Sequence, residues 1–85
     1  MELEIKVYGL LSCPHCKATR EFLKERGVEF ETIFVDLLTG DERSEALKEL
    51  RHLNPACSFP TTVIGEKIIV GFKKDEIATA IGENP

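Results

Sequence analysis

The chain has 85 residues, enough for one small domain over 1–85 that buries about 60–65% of the surface its unfolded form exposes. Hydrophobic residues make up 42% and charged residues 31%, a globular balance rather than a disordered one. Eleven basic against fifteen acidic side chains give a net charge of −4 with no basic run, which argues against nucleic acid and anionic membranes, and no stretch approaches the ~20 apolar residues of a membrane span.

In chain order, Leu3, Ile5 and Val7 alternate with Glu2, Glu4 and Lys6, and Tyr8 follows. This predicts a strand that starts at a half-exposed edge of the core. Ser12-Cys13-Pro14 opens a helix running to about Arg26, because proline just inside a helix start has a suitable φ and needs no N–H there. Ala18, Phe22 and Leu23 form its apolar stripe, and Gly27 stops it. A second strand is expected over Glu29–Val35. Its terminal Ile33-Phe34-Val35 run reads as buried on both faces. Thr39-Gly40-Asp41-Glu42 has the form of a capping box, and the helix it starts carries Ala46, Leu47, Leu50 and Leu53 on one side, ending at Asn54-Pro55.

Thr61–Ile64 and Lys67–Val70 read as two short strands joined through Gly65-Glu66, a two-residue hairpin signal. A last helix is expected over Lys73–Ile81, with Ile77, Ala78 and Ile81 inward and Gly82 as its stop. The order is βαβαββα. The helix between the first two strands makes them parallel, and the last two form an antiparallel hairpin, so the fold class is α/β: a four-stranded mixed sheet with helices on both faces.

Three cysteines are an odd number, so at least one thiol has no intrachain partner, unlike the even sets that staple secreted scaffolds. The N-terminus lacks a basic segment, a long apolar segment and a small-residue cleavage site, so the expectation is a cytoplasmic protein with reduced thiols unless they are catalytic. Cys13-Pro14-His15-Cys16 is the chemical centre. Residues i and i+3 in a first helical turn lie on one side about 5–6 Å apart, inside the window for a reversible disulfide. Cys13 sits where free N–H groups and the helix dipole favour a thiolate, so it is the expected nucleophile, and Cys16, one turn in, the resolving thiol. Pro14 and His15 tune the pair. A histidine between the sulfurs stabilises thiolate and makes the oxidised form a stronger oxidant.

A zinc site is the rival reading. It wants four ligands, and beyond the pair only Cys57, His15 and His52 remain, with no second C-x-x-C and no paired histidines, so no metal is expected. Cys57 reads as a small loop residue, with oxidation or glutathionylation as the alternative. His52 reads as a surface residue at a helix C-terminus and Tyr8 as core, while Lys17 reads equally as a solvated side chain or as added positive potential near the site.

The strand–C-x-x-C–helix arrangement resembles the thioredoxin fold in its smallest form and, more narrowly, the glutaredoxin or NrdH-type redoxin family. The resemblance covers essentially the whole chain. Val7-Tyr8 with Cys13-Pro14-His15-Cys16 matches the first strand and active site, Ser58-Phe59-Pro60-Thr61 the cis-proline loop, and Gly65–Phe72 the terminal hairpin with its glycine turn. It implies a cis Phe59–Pro60 bond packed against the cysteine pair, and neighbouring backbone that pairs with an extended substrate. Leu10 stands where glutathione-using members carry Lys or Arg. Val70-Gly71-Phe72-Lys73-Lys74-Asp75 looks more like the Ser-Gly-Phe-Arg-Pro-Asp of NrdH-type redoxins than the Gly-Gly and acidic pair that engage glutathione. The Pro-His dipeptide is that of periplasmic disulfide-forming oxidases, whose helical insertion 85 residues cannot hold.

The resemblance therefore implies a cytoplasmic, monomeric dithiol–disulfide oxidoreductase without a cofactor. It would reduce protein disulfides, such as that of a ribonucleotide reductase, and be recharged by a thioredoxin-reductase-like or ferredoxin-linked enzyme. The alternatives are a glutathione-dependent glutaredoxin and a metal or iron–sulfur carrier using Cys13. The substrate rim would be Leu10, Leu11, Phe59, Pro60, Thr61, Gly71 and Phe72.

Overall fold

The computed structural model describes residues 4–82. Four strands, β1 (Ile5–Gly9), β2 (Glu31–Phe34), β3 (Thr61–Ile64) and β4 (Lys67–Val70), form one sheet in the order β2-β1-β3-β4. Strands β1 and β2 are parallel, with Tyr8 opposite Ile33; β1 and β3 are antiparallel, with Tyr8 opposite Thr61; β3 and β4 are antiparallel, with Thr61 opposite Val70. The helices are α1 (Pro14–Glu25), α2 (Gly40–Leu53) and α3 (Lys74–Ala80), and a 3₁₀ turn over Val35–Leu37 follows β2. This is the minimal thioredoxin-like architecture, βαβαββα, with a mixed sheet and three helices. No helix among the described residues is long and apolar enough to cross a membrane.

The period-two alternation of β1 divides the interior into two layers. Ile5 and Val7 face α1 and α3, where they pack with Phe22, Leu23, Ile64, Ile69 and Ile77. Tyr8 faces the other way, into a cluster with Val35 and Leu50 beneath α2. The α1 stripe is read correctly in the sequence: Phe22 and Leu23 are buried and Ala18 half-buried, and the helix closes with the Arg26 N–H on the Phe22 carbonyl and the Gly27 N–H on the Lys24 carbonyl. Of the three inward residues expected on the last helix, Ile77 is fully buried and Ala78 and Ile81 partly so.

Three expectations are corrected. The first strand does not begin at a half-exposed edge. It lies between β2 and β3, and every residue from Ile5 to Gly9 is buried except the half-buried Lys6. Its Leu3 lies outside the described residues. The second strand is shorter than Glu29–Val35 and is not buried on both faces, because the strand order leaves β2 at the sheet edge. Glu31 is exposed and Thr32, Ile33 and Phe34 are half-buried, and the buried Val35 already belongs to the 3₁₀ turn. The capping box does not form. Thr39 is the N-cap residue but its side chain makes no cap bond, since Gly40 enters the helix with φ of 58° and turns the first peptide away from helical geometry.

Candidate functional site

Strand β1 ends at Gly9, and the chain crosses Leu10, Leu11 and Ser12 before α1 begins. Proline 14 occupies the first helical position, so the helix starts there and Cys13 becomes its N-cap, with extended φ and ψ of −81° and 117°. Its sulfur takes the place of the usual capping oxygen. Cys13 Sγ accepts the backbone N–H of Cys16 at 3.3 Å. The two cysteines thus share a turn but not an environment: Cys13 is partly exposed and Cys16 is fully buried.

That difference sets their acidities apart. Partial burial works to raise Cys13, but the Cys16 thiol and amide, the His15 amide and the Arg20 charge outweigh it and hold Cys13 below the ordinary thiol value of 9.0. Burial pushes Cys16 up to about 11, and its hydrogen bond with Cys13 adds to the rise. The arrangement therefore offers, toward the surface, the thiol that ionises first and, beneath it, one that keeps its proton to about 11. This is the division of labour that stepwise thiol–disulfide exchange needs. His15 acts on Cys13 through its backbone amide, and its side chain is exposed.

Two residues that support the pair carry no sequence signal as site residues. Gly9 passes so close beneath the helix that a Cβ there would lie 3.1 Å from both Cβ and Sγ of Cys16. Gly9→Ala is expected to push Cys16 out of place, cost about 1–2 kcal/mol of stability, and slow the second half of exchange more than the first; unfolding and stopped-flow measurements would check both. Arg20 lies one helical turn past Cys16. Its guanidinium stacks on Phe34 at 4.9 Å, and its Nη1 is buried without a hydrogen-bond acceptor among the described residues.

The pH dependence of alkylation follows from these shifts. Below its own lowered value Cys13 is protonated and slow; above it, while still under 9.0, it is a thiolate and fast. Iodoacetamide labelling of Cys13 should therefore rise through a half-point below 9.0, with Cys16 joining only near 11. Arg20→Met, which removes a positive charge, should move the first half-point upward. A half-point at or above 9.0 in the parent would contradict the arrangement.

The rim residues are placed as follows. Leu10 is half-buried against the α2-side cluster, and Leu11 is exposed. Phe59 is half-buried against the same cluster, and Phe59–Pro60 is a cis peptide. Pro60 is fully buried, and its carbonyl accepts the Gly71 N–H at 2.8 Å, which fastens the turn after β4 to the proline loop. Thr61 is fully buried and Phe72 packs edge-on against Phe22, with ring centroids 6.1 Å apart. Lys73 pairs with Glu76 at 3.7 Å, and Lys74 sits over the Phe22 ring.

Among the other candidates, Cys57 has φ of 51° and packs half-buried against the Tyr8–Val35–Leu50 cluster. Tyr8 is core: its hydroxyl bonds Glu49 at 3.4 Å, and burial first, then Glu49, raises its pKa. His52 and Lys17 are exposed. Among the described residues no three His, Cys, Asp or Glu side chains are grouped to hold a metal ion.

The loop before Pro60 is organised by a residue read in the sequence only as a helix stop. Asn54 is buried, donates to Ser58 Oγ at 3.0 Å and Thr61 Oγ1 at 3.1 Å, and accepts the Ala56 N–H at 3.2 Å.

Comparison with known proteins gives concordant matches. The family model for glutaredoxin matches residues 5–69. The "uncharacterized glutaredoxin-like 8.6 kDa protein in rubredoxin operon" of Clostridium pasteurianum is 40% identical over 73 residues, covering 86% of this chain and 91% of that one. Among solved structures, the methanoredoxin of Methanosarcina acetivorans superposes with a TM-score of 0.88 at 49% identity, covering 93% of this chain and 84% of that one. The NrdH-redoxin of Escherichia coli superposes with a TM-score of 0.76 at 29% identity, covering 96% and 99%.

Proposed function

The chain belongs to the glutaredoxin family, and from that premise we propose that it is a cytoplasmic dithiol–disulfide oxidoreductase that reduces protein disulfides through Cys13 and Cys16 and is recharged by a reductase rather than by glutathione. One observation carries the chemistry: a partly exposed thiol held low in pKa at a helix N-cap, hydrogen-bonded by the backbone amide of a buried thiol held near 11.

The steps follow from that asymmetry. The Cys13 thiolate attacks one sulfur of a substrate disulfide, the substrate S–S bond breaks, and one substrate thiolate leaves with the electron pair. Cys13 is then joined to the substrate through a mixed disulfide and no longer carries charge. Cys16 passes its proton to the substrate thiolate released in the first step and attacks Cys13 Sγ; the mixed disulfide bond breaks, the second substrate thiolate leaves with its electron pair, and the Cys13–Cys16 disulfide closes. Two electrons have passed to the substrate. A reductase would return the pair to the dithiol. Leu10, Leu11, Phe59, Pro60, Thr61, Gly71 and Phe72 form the proposed contact rim.

The preference for a reductase rests on charge. Leu10 supplies no cation for a glutathione carboxylate, and Lys73 already faces the Glu76 carboxylate at 3.7 Å. The related NrdH-redoxin, a glutaredoxin-like protein with a thioredoxin-like activity profile, supports the same reading. The test is insulin-disulfide reduction driven in parallel by a thioredoxin reductase, a ferredoxin-linked reductase, and glutathione with its reductase. Turnover with an enzyme donor and little with glutathione is expected. Turnover with glutathione alone would overturn the donor assignment, and stoichiometric metal after anaerobic purification would favour a carrier instead.

A further inference from the structure

The segment that delivers Cys13 to α1 has few bonds of its own. The Cys13 N–H closes a turn on the Leu10 carbonyl at 3.3 Å. The remaining tie comes from elsewhere in the chain. Both carboxylate oxygens of Asp36 accept the Leu11 N–H, at 3.2 and 3.1 Å. Asp36 is itself well placed to anchor. It lies in the 3₁₀ turn after β2, directly after the buried Val35, and β2 pairs in parallel with β1.

We propose that Asp36 is a positioning residue for thiol exchange: its carboxylate pins the Leu10–Ser12 turn, and through that turn it keeps Cys13 at the helix N-cap, where its sulfur takes the Cys16 N–H. The proposal deepens the reading of Cys13 and Cys16 as the exchanging pair and rests on it. The bond is exposed at both ends, so what Asp36 supplies there is an acceptor held in place by the 3₁₀ turn against the Leu11 N–H. Asp36 works through geometry rather than through its field. The charged neighbour that acts on both sulfurs is Arg20; His15 and Lys17 are the other titratable side chains within a turn of them.

Geometry and field predict opposite signs. A carboxylate acting as a nearby negative charge disfavours the Cys13 thiolate, so its removal would move the alkylation half-point down. A carboxylate that aligns the turn keeps the Cys16 amide on Cys13 Sγ, so its removal moves the half-point up. The experiment compares Asp36→Ala and Asp36→Asn with the parent in three measurements: thermal unfolding, the pH profile of Cys13 alkylation, and the rate at which the reduced protein reduces insulin. Asp36→Ala should unfold within about 3 °C of the parent, show an upward half-point, and reduce insulin roughly 5- to 20-fold more slowly. Asp36→Asn, which keeps an acceptor oxygen without the charge, should recover to within about threefold.

Rates within twofold of the parent for Asp36→Ala would overturn the proposal. So would a downward half-point, an Asp36→Asn as slow as Asp36→Ala, or a rate loss accounted for entirely by unfolded protein. Failure of the underlying reading looks different: the parent itself would not reduce insulin.

Discussion

Cys16→Ser is expected to turn the protein from a catalyst into a trap. The variant keeps the Cys13 thiolate, and the bond that holds it comes from the backbone amide of residue 16, which serine retains. The hydroxyl of serine can still donate where the thiol did. The first displacement should therefore proceed at a rate within severalfold of the parent. The second cannot, because an alcohol is no nucleophile toward a disulfide at neutral pH. A mixed disulfide between Cys13 and a substrate protein should accumulate to stoichiometry, visible by mass spectrometry and released by dithiothreitol. Cys13→Ser removes the attacking sulfur, and insulin reduction should fall by at least about 100-fold. Cys57→Ser should change neither step, since that sulfur packs against the α2-side cluster. Full activity in Cys13→Ser would defeat the assignment of the site.

Different physical features decided what could be read from the chain. The order of elements was legible because short-range signals punctuate it: Pro14 opens α1, Gly27 closes it, and Gly65-Glu66 joins β3 to β4. Tertiary position was not. The alternation of β1 looked like an edge because one buried face is all that a period of two reports, whereas here both faces are covered. The run Ile33-Phe34-Val35 looked like a central strand because composition does not encode strand order, which sets β2 at the edge. The cysteine pair was legible from spacing and from Pro14 alone. Its supports were not: Gly9 matters for how closely it passes beneath Cys16, Arg20 for its stacking on Phe34, and Asp36 for a bond made across 25 residues.

Asn54→Ala is expected to destabilise the fold strongly, and its cost is one of satisfaction rather than volume. The carboxamide is the hub of the turn between α2 and β3. It donates to Ser58 Oγ and Thr61 Oγ1, and it accepts from the Ala56 N–H, while Thr61 Oγ1 passes its own proton to the Ser58 carbonyl at 2.8 Å. Thr61 is fully buried, so its hydroxyl loses a donor that water cannot replace without opening the core. Each buried partner left unmade costs about 1–3 kcal/mol, and a total of about 2–4 kcal/mol is expected. For a domain of this size that is a Tm lower by roughly 10–20 °C. Asn54→Asp keeps the acceptor for Ala56 but loses both donated bonds, so it should recover little of the loss. Thr61→Val provides the complement: it removes the hydroxyl that Asn54 satisfies, and in a double-mutant cycle its effect should shrink once Asn54 is alanine. The same turn leads directly into Pro60, whose carbonyl holds Gly71, so the variant should also weaken substrate reduction at temperatures where it is still folded. A Tm within about 3 °C of the parent, or strictly additive effects in the cycle, would show that the turn is held by its backbone alone.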